Sequence, residues 1–476
     1  MTRHITTGRL MIYLVLSGFL FRSATLFGGN MQNSVVDLAA SIVEFGSFEI
    51  DPYHANSPDI AFRGGHYYSG MAPGASLLAV PLYAVSKIAL SALPESISKR
   101  IEARFNQHPY MARQVLTHAL MTFVLGFLGG ALGLWLVIRI ASGLTGDRTA
   151  ALGTGIVYAF GTVMIYYHNS YYTQSIGVLM LLGAVDLLLA LPATPRRLLW
   201  GGFLCGFAAT VDYPYFFYGG AIAALGAFRT WRSGDRRPIL FIGLGMAAPL
   251  IGLLAYHWAC FGGPLETPYA FRAHGNLHAG KYLGVGPLHP DRIMALFVSP
   301  HEGLLWLMPF VLLLPWNAWA MLRDRRMNAD RRLLALAGVV IIGLATLYFV
   351  SVPWVSNMAA YGPRFLLAAM PFMAMLAYPC RRSLVAAFWI LAGYSIAIHQ
   401  LNMARLNLPL YVDALINHQP VQTLSIQLSQ ISRHFSPLAG ILILLALQAA
   451  LIFTVFVLPD VIGKRPKQSA AQGVNN

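Results

Sequence analysis

The chain has 476 residues, of which 57% are hydrophobic and only 11% are charged. Soluble domains carry roughly 25% charged residues, so this composition excludes an ordinary soluble protein. The formal net charge of +15 would suit a nucleic-acid-binding protein, but the cations stand in short clusters between apolar runs, where membrane topology explains them better. The sequence therefore predicts a membrane protein with no nucleic-acid partner.

Apolar runs of about 17 to 25 residues recur along the chain, which is the length that a helix needs to cross a bilayer. Clear examples are 10–27, 115–138, 303–322, 333–352 and 438–458. These runs are continuous, whereas a β-barrel needs short alternating segments. We expect an all-α polytopic protein with about 11 to 13 spans.

The cation clusters orient the second half of the chain, because Lys and Arg concentrate in cytoplasmic loops. They lie at 196–197, 229–237, 323–332, 381–382 and 464–467. In the first half, the parity of crossings fails by one. Either 74–93 lies along or re-enters the membrane, or 198–227 crosses once instead of forming a hairpin.

The most polar extracytoplasmic stretch is the first loop, 29–73. Its five carboxylates are Asp37, Glu44, Glu49, Asp51 and Asp59. Apolar residues within 34–44 follow helical spacing, which predicts a juxtamembrane helix that Gly46 ends. We treat 1–476 as one membrane domain, with further large extracytoplasmic loops at 261–292 and 401–437.

Six blocks carry a resemblance to a known family. They are IDPYHANSPDIAFRGGHYYSGMAPGASLLAVPLYAV, ALGTGIVYAFGT, GGFLCGFAATVDYP, HWACFGGPLETPY, LFVSPHEGLLWLMP and AYGPRFLLAAMPF. In this order they resemble the GT-C superfamily of membrane glycosyltransferases, in its uncharacterised bacterial branch. The resemblance implies a GT-C-like fold and an inverting enzyme of the bacterial cytoplasmic (inner) membrane. Its active site would face the extracytoplasmic side.

The resemblance also implies the reaction. A sugar would pass from a polyprenyl-phosphate carrier to an envelope glycan, lipid or protein. That transfer needs a carboxylate to take the proton of the acceptor hydroxyl, and cations or hydroxyl donors to hold the leaving phosphate. We expect no cofactor, with a divalent cation left open, and the lipid-linked sugar and the bilayer as partners.

The candidate bases lie in the first loop. Asp59 and Asp51 frame a turn rich in Asn, Ser and Pro, and we rank them first and second. Asp37, on the predicted helix, ranks third. Each has a structural alternative, since such acids also cap helices or face water.

Two positions depart from the family pattern. The acidic pair that usually opens this loop aligns with Met31 and Gln32, and a lysine that often precedes the Ala-Pro aligns with Met71. Either other residues substitute for these groups, or the protein is a catalytically inactive scaffold.

The substitute phosphate ligand that we favour is Arg364, since arginine can fork two hydrogen bonds to a phosphate; snorkelling to the interface is its alternative role. Arg63 is the second candidate. The neighbouring His66, Tyr67 and Tyr68 would assist the donor site through hydrogen bonds or stacking.

Three residues are candidates for acceptor binding. His274 and His278 have i,i+4 spacing, but no acid accompanies them as in a metalloprotease helix, so we expect no metal site. Asp212 interrupts an apolar run, and a carboxylate at membrane depth faces a cavity or a partner. A transporter or flippase for a lipid-linked saccharide is the competing function, although the richest polar material lies in loops and not at broken helices near the midplane.

Overall fold

We describe the protein from a computed structural model. The residues that it describes are 5–20, 29–104, 111–234, 237–273, 285–299, 303–352, 361–416 and 446–459. Among these residues, six helical stretches are long and apolar enough to cross a membrane, and three shorter apolar helices accompany them. The protein is an all-α polytopic integral membrane protein, as predicted. The count of about 11 to 13 spans stays a prediction.

The first ten helices build the amino-terminal part of the protein. They are α1 (Thr7–Leu20), α2 (Asn30–Phe45), α3 (Gly74–Ser91), α4 (Glu95–Arg104), α5 (Met111–Met121), α6 (Gly129–Thr145), α7 (Arg148–Phe160), α8 (Met164–His168), α9 (Thr173–Val185) and α10 (Pro195–Val211). A π-helical turn joins α5 to α6, so that the two form one apolar helix of 35 residues.

The remaining helices follow a tight turn after α10. They are α11 (Tyr215–Arg232), α12 (Arg237–Phe261), α13 (Asp291–Val298), α14 (Leu304–Leu307), α15 (Leu314–Arg323), α16 (Ala329–Ser351), α17 (Met370–Ala377), α18 (Val385–Ile416) and the last described helix, Ala446–Val457. Helices α9, α10, α11 and α12 pack on one another, and α11 also packs on α16.

The predicted first-loop helix is present as α2. Val35, Leu38 and Ala39 are buried on one side of it, as their spacing predicts. Gly46 ends the helix in the left-handed conformation, with φ of 65°, and its N–H donates to the carbonyl of Ile42. Sequence pattern alone located this helix and its carboxyl end.

A small β-hairpin in the first loop is a feature that the sequence analysis did not predict. Its strands are β1 (Ile60–Arg63) and β2 (His66–Ser69), paired antiparallel. Gly64 and Gly65 make the turn with φ of 61° and 93°, values at which residues with a Cβ are strained. The hairpin holds the acidic first loop in a defined shape above α2.

The run 198–227 forms a helical hairpin, because α10 and α11 pack side by side and turn at 212–214. This arrangement leaves 74–93 as the segment that accounts for the failed parity. Helix α3, which covers most of it, is tied to the first-loop helix: Lys87 Nζ lies 2.8 Å from Glu44 Oε2, and Tyr83 donates to Glu44 Oε1 at 3.2 Å. Arg113, at the start of α5, pairs with the same carboxylate at 2.7 Å.

A second set of ion pairs marks the other ends of these helices. Arg139 lies 2.9 Å from Asp186, and Arg229 lies 2.8 Å from Asp330. Two segments that the charge bias assigns to the cytoplasm, 229–237 and 323–332, therefore meet in the structure. Asp212 lies at the opposite end of the α10–α11 hairpin from Arg229.

Candidate active site

Asp59 has a fixed backbone and an accessible carboxylate. Its N–H donates to Ser57 Oγ at 3.0 Å, and its carbonyl accepts from Ser34 Oγ at 2.7 Å and from the Gly70 N–H at 2.9 Å. The carboxylate lies 3.6 Å from the guanidinium of Arg272, and 21% of the side chain is exposed. Asp59 is thus positioned by its main chain, which leaves its carboxylate available to a substrate.

Asp51 is occupied by the hairpin. Its Oδ1 accepts from the Tyr67 N–H at 2.7 Å, and its Oδ2 lies 2.8 Å from His66 Nδ1. Burial alone would raise the pKa of Asp51, but these two hydrogen bonds bring it below its usual value. The hydrogen bond to Asp51 and the nearby charge of Glu49 raise the pKa of His66. Both oxygens of Asp51 therefore have partners before any substrate binds.

Asp37 is 1% exposed and lies between α2 and α5. Its Oδ1 accepts from Asn56 Nδ2 at 2.9 Å and from Gln114 Nε2 at 2.8 Å, while its buried Oδ2 has no hydrogen-bond partner. Burial raises the pKa of Asp37 to about 8, although the two amide donors oppose the shift. This carboxyl joins the turn at Asn56 to two helices and lies in the interior.

Arg364 begins a 3-10 helix, Arg364–Ala369, directly after Gly362, whose φ of 64° turns the chain. Its guanidinium lies over the ring of Phe365, with 4.9 Å from Cζ to the ring centroid. The Nε atom of Arg364 is buried and has no hydrogen-bond partner. Part of this arginine's hydrogen-bonding capacity is therefore unused within the protein.

Asp212 follows the last residue of α10 and is 7% exposed. Its Oδ2 accepts from Gln174 Nε2 at 2.7 Å and from Thr173 Oγ1 at 3.2 Å. Burial raises the pKa of Asp212 to about 6, against these hydrogen bonds and the positive charge of Arg364. In the part of the chain that the structure describes, no ion pair within 4.0 Å joins Asp212 to Arg364.

A chain of aromatic contacts connects Asp59 to Asp212. Arg272, beside Asp59, lies 4.9 Å from the ring centroid of Tyr269. The ring of Tyr269 in turn packs against Tyr213 at 5.5 Å between centroids, and Tyr213 follows Asp212 in the sequence. The structure thus brings the first loop, the loop after α12 and the α10–α11 turn together, which is the arrangement that a site between several loops requires.

The other proposed donor ligands have structural contacts. Arg63 lies 4.7 Å from the ring centroid of Phe271, and its buried Nη1 has no hydrogen-bond partner. Tyr67 stacks on His54 with 4.4 Å between centroids, and Tyr68 packs against Phe261 in a small buried cluster. His66 contacts Asp51, as described above. Their assignment to the donor stays a prediction.

Two of the predicted acceptor residues, His274 and His278, lie outside the described residues. A metal also stays unassigned: Glu49, Asp51 and His66 offer ligand atoms within 4.8 Å of one another, but the hydrogen bond between the last two already accounts for this grouping. The prediction of no metal site stays a prediction.

The positions that depart from the family pattern lie close to Asp212. The sulfur of Met31 is 3.4 Å from Thr173 Oγ1, the hydroxyl that also reaches Asp212. Gln32 donates to the Tyr171 carbonyl at 3.2 Å, and Met71 is 8% exposed. A carboxylate from another segment therefore lies one hydroxyl away from the position where the family pattern expects an acid.

Sequence reasoning gave no role to several residues of this arrangement. Thr173 and Gln174 lie in or beside an extracytoplasmic polar cluster, and Arg272 lies in the second large loop, but no motif singles them out. Their only signal is a polar side chain at the end of an apolar run, which interface anchoring explains equally well.

Comparison with known proteins gave structural similarities alone. No protein-family model and no curated protein matches the chain. ArnT from Cupriavidus metallidurans bound to undecaprenyl phosphate matches with a TM-score of 0.48 and 14% identity, covering 97% of this chain and 79% of ArnT. ArnT in the apo state gives 0.48 and 13%, covering 95% and 78%.

The archaeal oligosaccharyltransferase AglB from Archaeoglobus fulgidus, in complex with an inhibitory peptide and a dolichol-phosphate, gives a TM-score of 0.39 and 13% identity. The match covers 98% of this chain and 56% of AglB. At these identities and TM-scores, the similarity assigns no reaction and no ligand to this chain.

Proposed function

We propose that this protein is a membrane glycosyltransferase that moves a sugar from a polyprenyl-phosphate carrier to an envelope glycan, lipid or protein. The reaction would take place on the extracytoplasmic face of a bacterial inner membrane. The observation that carries the proposal is the convergence of two carboxylate–arginine couples, Asp59 with Arg272 and Asp212 with Arg364, on the loop ends of one helical bundle. The GT-C resemblance of the sequence blocks supports the same reaction.

The chemistry assigns complementary roles to these groups. Asp59 is the base that takes the proton of the acceptor hydroxyl, because its backbone is fixed and its carboxylate is partly exposed. Arg364 binds the phosphate that leaves when the acceptor oxygen bonds to the anomeric carbon, since a guanidinium with an unused N–H stabilises the developing charge. Asp51 is less suited, because His66 and the Tyr67 amide hold both of its oxygens.

The test compares two isosteric variants of the first loop. Purified protein in nanodiscs receives radiolabelled undecaprenyl-phosphate sugars and a membrane extract as the acceptor. Asp59→Asn should reduce label transfer at least about 100-fold, the range expected for loss of a general base. Asp51→Asn is the matched control, and it should retain transfer within a few-fold of the wild type.

Two outcomes would contradict the proposal. Full transfer by Asp59→Asn together with its loss in Asp51→Asn would move the base to the hairpin. No transfer by the wild type, with saturable binding of a sugar lipid and its movement across a sealed vesicle, would indicate a flippase instead.

A further inference from the structure

The space between Asp212 and Arg364 has the features of an empty binding site. Both groups are charged, and the positive charge of Arg364 acts on Asp212, yet they make no direct ion pair within 4.0 Å. Two donors hold Oδ2 of Asp212, one from Thr173 and one from Gln174, so the orientation of this carboxylate is fixed. A buried anion and a partly buried cation kept apart in this way leave room for a ligand that contacts both.

Unpaired polar atoms surround this space. Gln174 is 8% exposed, and its Oε1 is buried without a hydrogen-bond partner, while its Nε2 donates to Asp212. The Nε of Arg364 is likewise buried and unpartnered. Leaving a buried polar group unpaired costs about 1–3 kcal/mol, so such atoms mark a site where a ligand completes the hydrogen bonds.

The polarity of the unpaired atoms defines the ligand. Asp212 and Gln174 offer only oxygen acceptors for it, whereas Arg364 offers an N–H donor. Tyr269 and Tyr348 line the same region, since the charges of Asp212 and Arg364 act on both hydroxyls. The matching ligand carries several hydroxyl donors at one end and a phosphate at the other, with a ring that packs against aromatic side chains.

We propose that Asp212 and Gln174 bind hydroxyl groups of the donor sugar while Arg364 binds the phosphate that carries it. This inference deepens the proposed function and rests on it. Asp212 then acts as a specificity residue and not as the base. Because its negative charge repels a phosphate that has lost its sugar, it also favours release of the carrier after transfer.

The test measures the affinity for the lipid with and without its sugar. The probes are undecaprenyl phosphate and its glucosyl, mannosyl, galactosyl and arabinosyl phosphodiesters, titrated against the full-length protein in nanodiscs. The wild type should bind at least one glycosylated lipid about tenfold more tightly than the bare phosphate. The ratio of the two dissociation constants is the readout, because general damage to the site cancels in it.

Variants of the two residues should change this ratio differently. Asp212→Ala should weaken the preferred glycosylated lipid about tenfold or more, leave the bare phosphate unchanged or tighter, and so abolish the preference. Arg364→Ala should weaken both lipids and keep the preference. Asp212→Asn, which preserves the side-chain shape, should give the same direction as Asp212→Ala and guards against misfolding of the alanine variant.

The outcomes separate this inference from the proposed function. If the wild type binds none of the five lipids, both fall. If it binds them without preferring any glycosylated lipid, or if both Asp212 variants keep the wild-type ratio, the sugar-binding role is wrong while a polyprenyl-phosphate ligand stands.

Discussion

The hairpin of the first loop and the α10–α11 turn both hold a carboxylate near a cation, but they use it differently. In the hairpin, Asp51 has direct partners on both oxygens, His66 and the Tyr67 amide, and the group is exposed to solvent. In the turn, Asp212 is buried, its arginine stays beyond direct contact, and Gln174 keeps an unpaired oxygen. The first cluster is complete within the protein, whereas the second is completed by a ligand.

Glu44 extends the comparison to buried acids. It contacts Lys87, Arg113 and Tyr83 directly, and it joins α2, α3 and α5. Burial and an acidic side chain are therefore not enough to identify a functional carboxylate. The distinguishing feature is whether the protein itself supplies all of its partners.

The largest expected effect breaks the open cluster. Arg364→Ala should reduce sugar transfer about 100-fold, because a forked, charge-assisted contact with the phosphate is lost, and Arg364→Lys should recover only part of it. The transfer assay in nanodiscs measures the effect. Arg323→Ala is the control, since that exposed guanidinium lies 3.8 Å from the Trp319 ring centroid, away from the loops of the site. Equal losses in both alanine variants would contradict a specific role for Arg364.

The next effect contrasts the stability of the two buried acids. Glu44→Gln should lower the free energy of unfolding by about 1–3 kcal/mol, since it leaves two cations uncompensated between helices. Asp212→Asn should leave stability unchanged or raise it, because it removes a buried charge that has no direct ion pair. Denaturant unfolding in detergent micelles compares the two variants, and an equal loss in both would remove the distinction between closed and open clusters.

The stabilisation from Glu44 also has a direction with pH. Burial tends to raise the pKa of Glu44, but hydrogen bonds and charges from Lys87 and Arg113 hold it below its usual value. Its contribution is therefore present above the ordinary pKa and is lost as the pH falls through the lowered one. The difference in stability between the wild type and Glu44→Gln should shrink on acidification.

A smaller effect concerns Asp37, whose pKa burial raises from 3.8 to about 8. The native state holds this proton more tightly than the unfolded chain, so the stabilisation is full below about pH 4 and is lost as the pH rises through 8. Asp37→Asn removes this dependence and should become the more stable form above pH 8, by on the order of 1–2 kcal/mol. Parallel pH profiles of the two proteins would contradict the shift.

Sequence pattern predicted the elements that depend on local chemistry. Helix α2 and its end at Gly46 follow from helical spacing and from a glycine that adopts positive φ. The polytopic all-α architecture follows from the apolar runs, because backbone groups in lipid must pair within a helix. The charge clusters likewise predicted that the segments containing Arg229 and Asp330 share one face, and these two residues form an ion pair.

The candidate site was predictable only in part, because it depends on contacts between distant segments. Asp59 and Asp51 are equivalent in the sequence, and only the β-hairpin, which places Asp51 against His66, separates them. The proximity of Asp212 to Met31, through Thr173, joins three segments that no spacing rule connects. Local propensity carries no information about such contacts.

The smallest expected effect tests whether the hairpin cluster is closed. His66→Asn should leave sugar transfer within about twofold of the wild type, because the cluster holds the loop and does not contact substrate. The amide of Tyr67, which donates to Asp51 Oδ1, should exchange with deuterium faster in the variant. In the wild type, the protection of this amide should fall as the pH rises through the raised pKa of His66, since the charged imidazole is then lost. If transfer instead falls as strongly as in Asp59→Asn, the hairpin takes part in the reaction and its cluster is as open as that of Asp212.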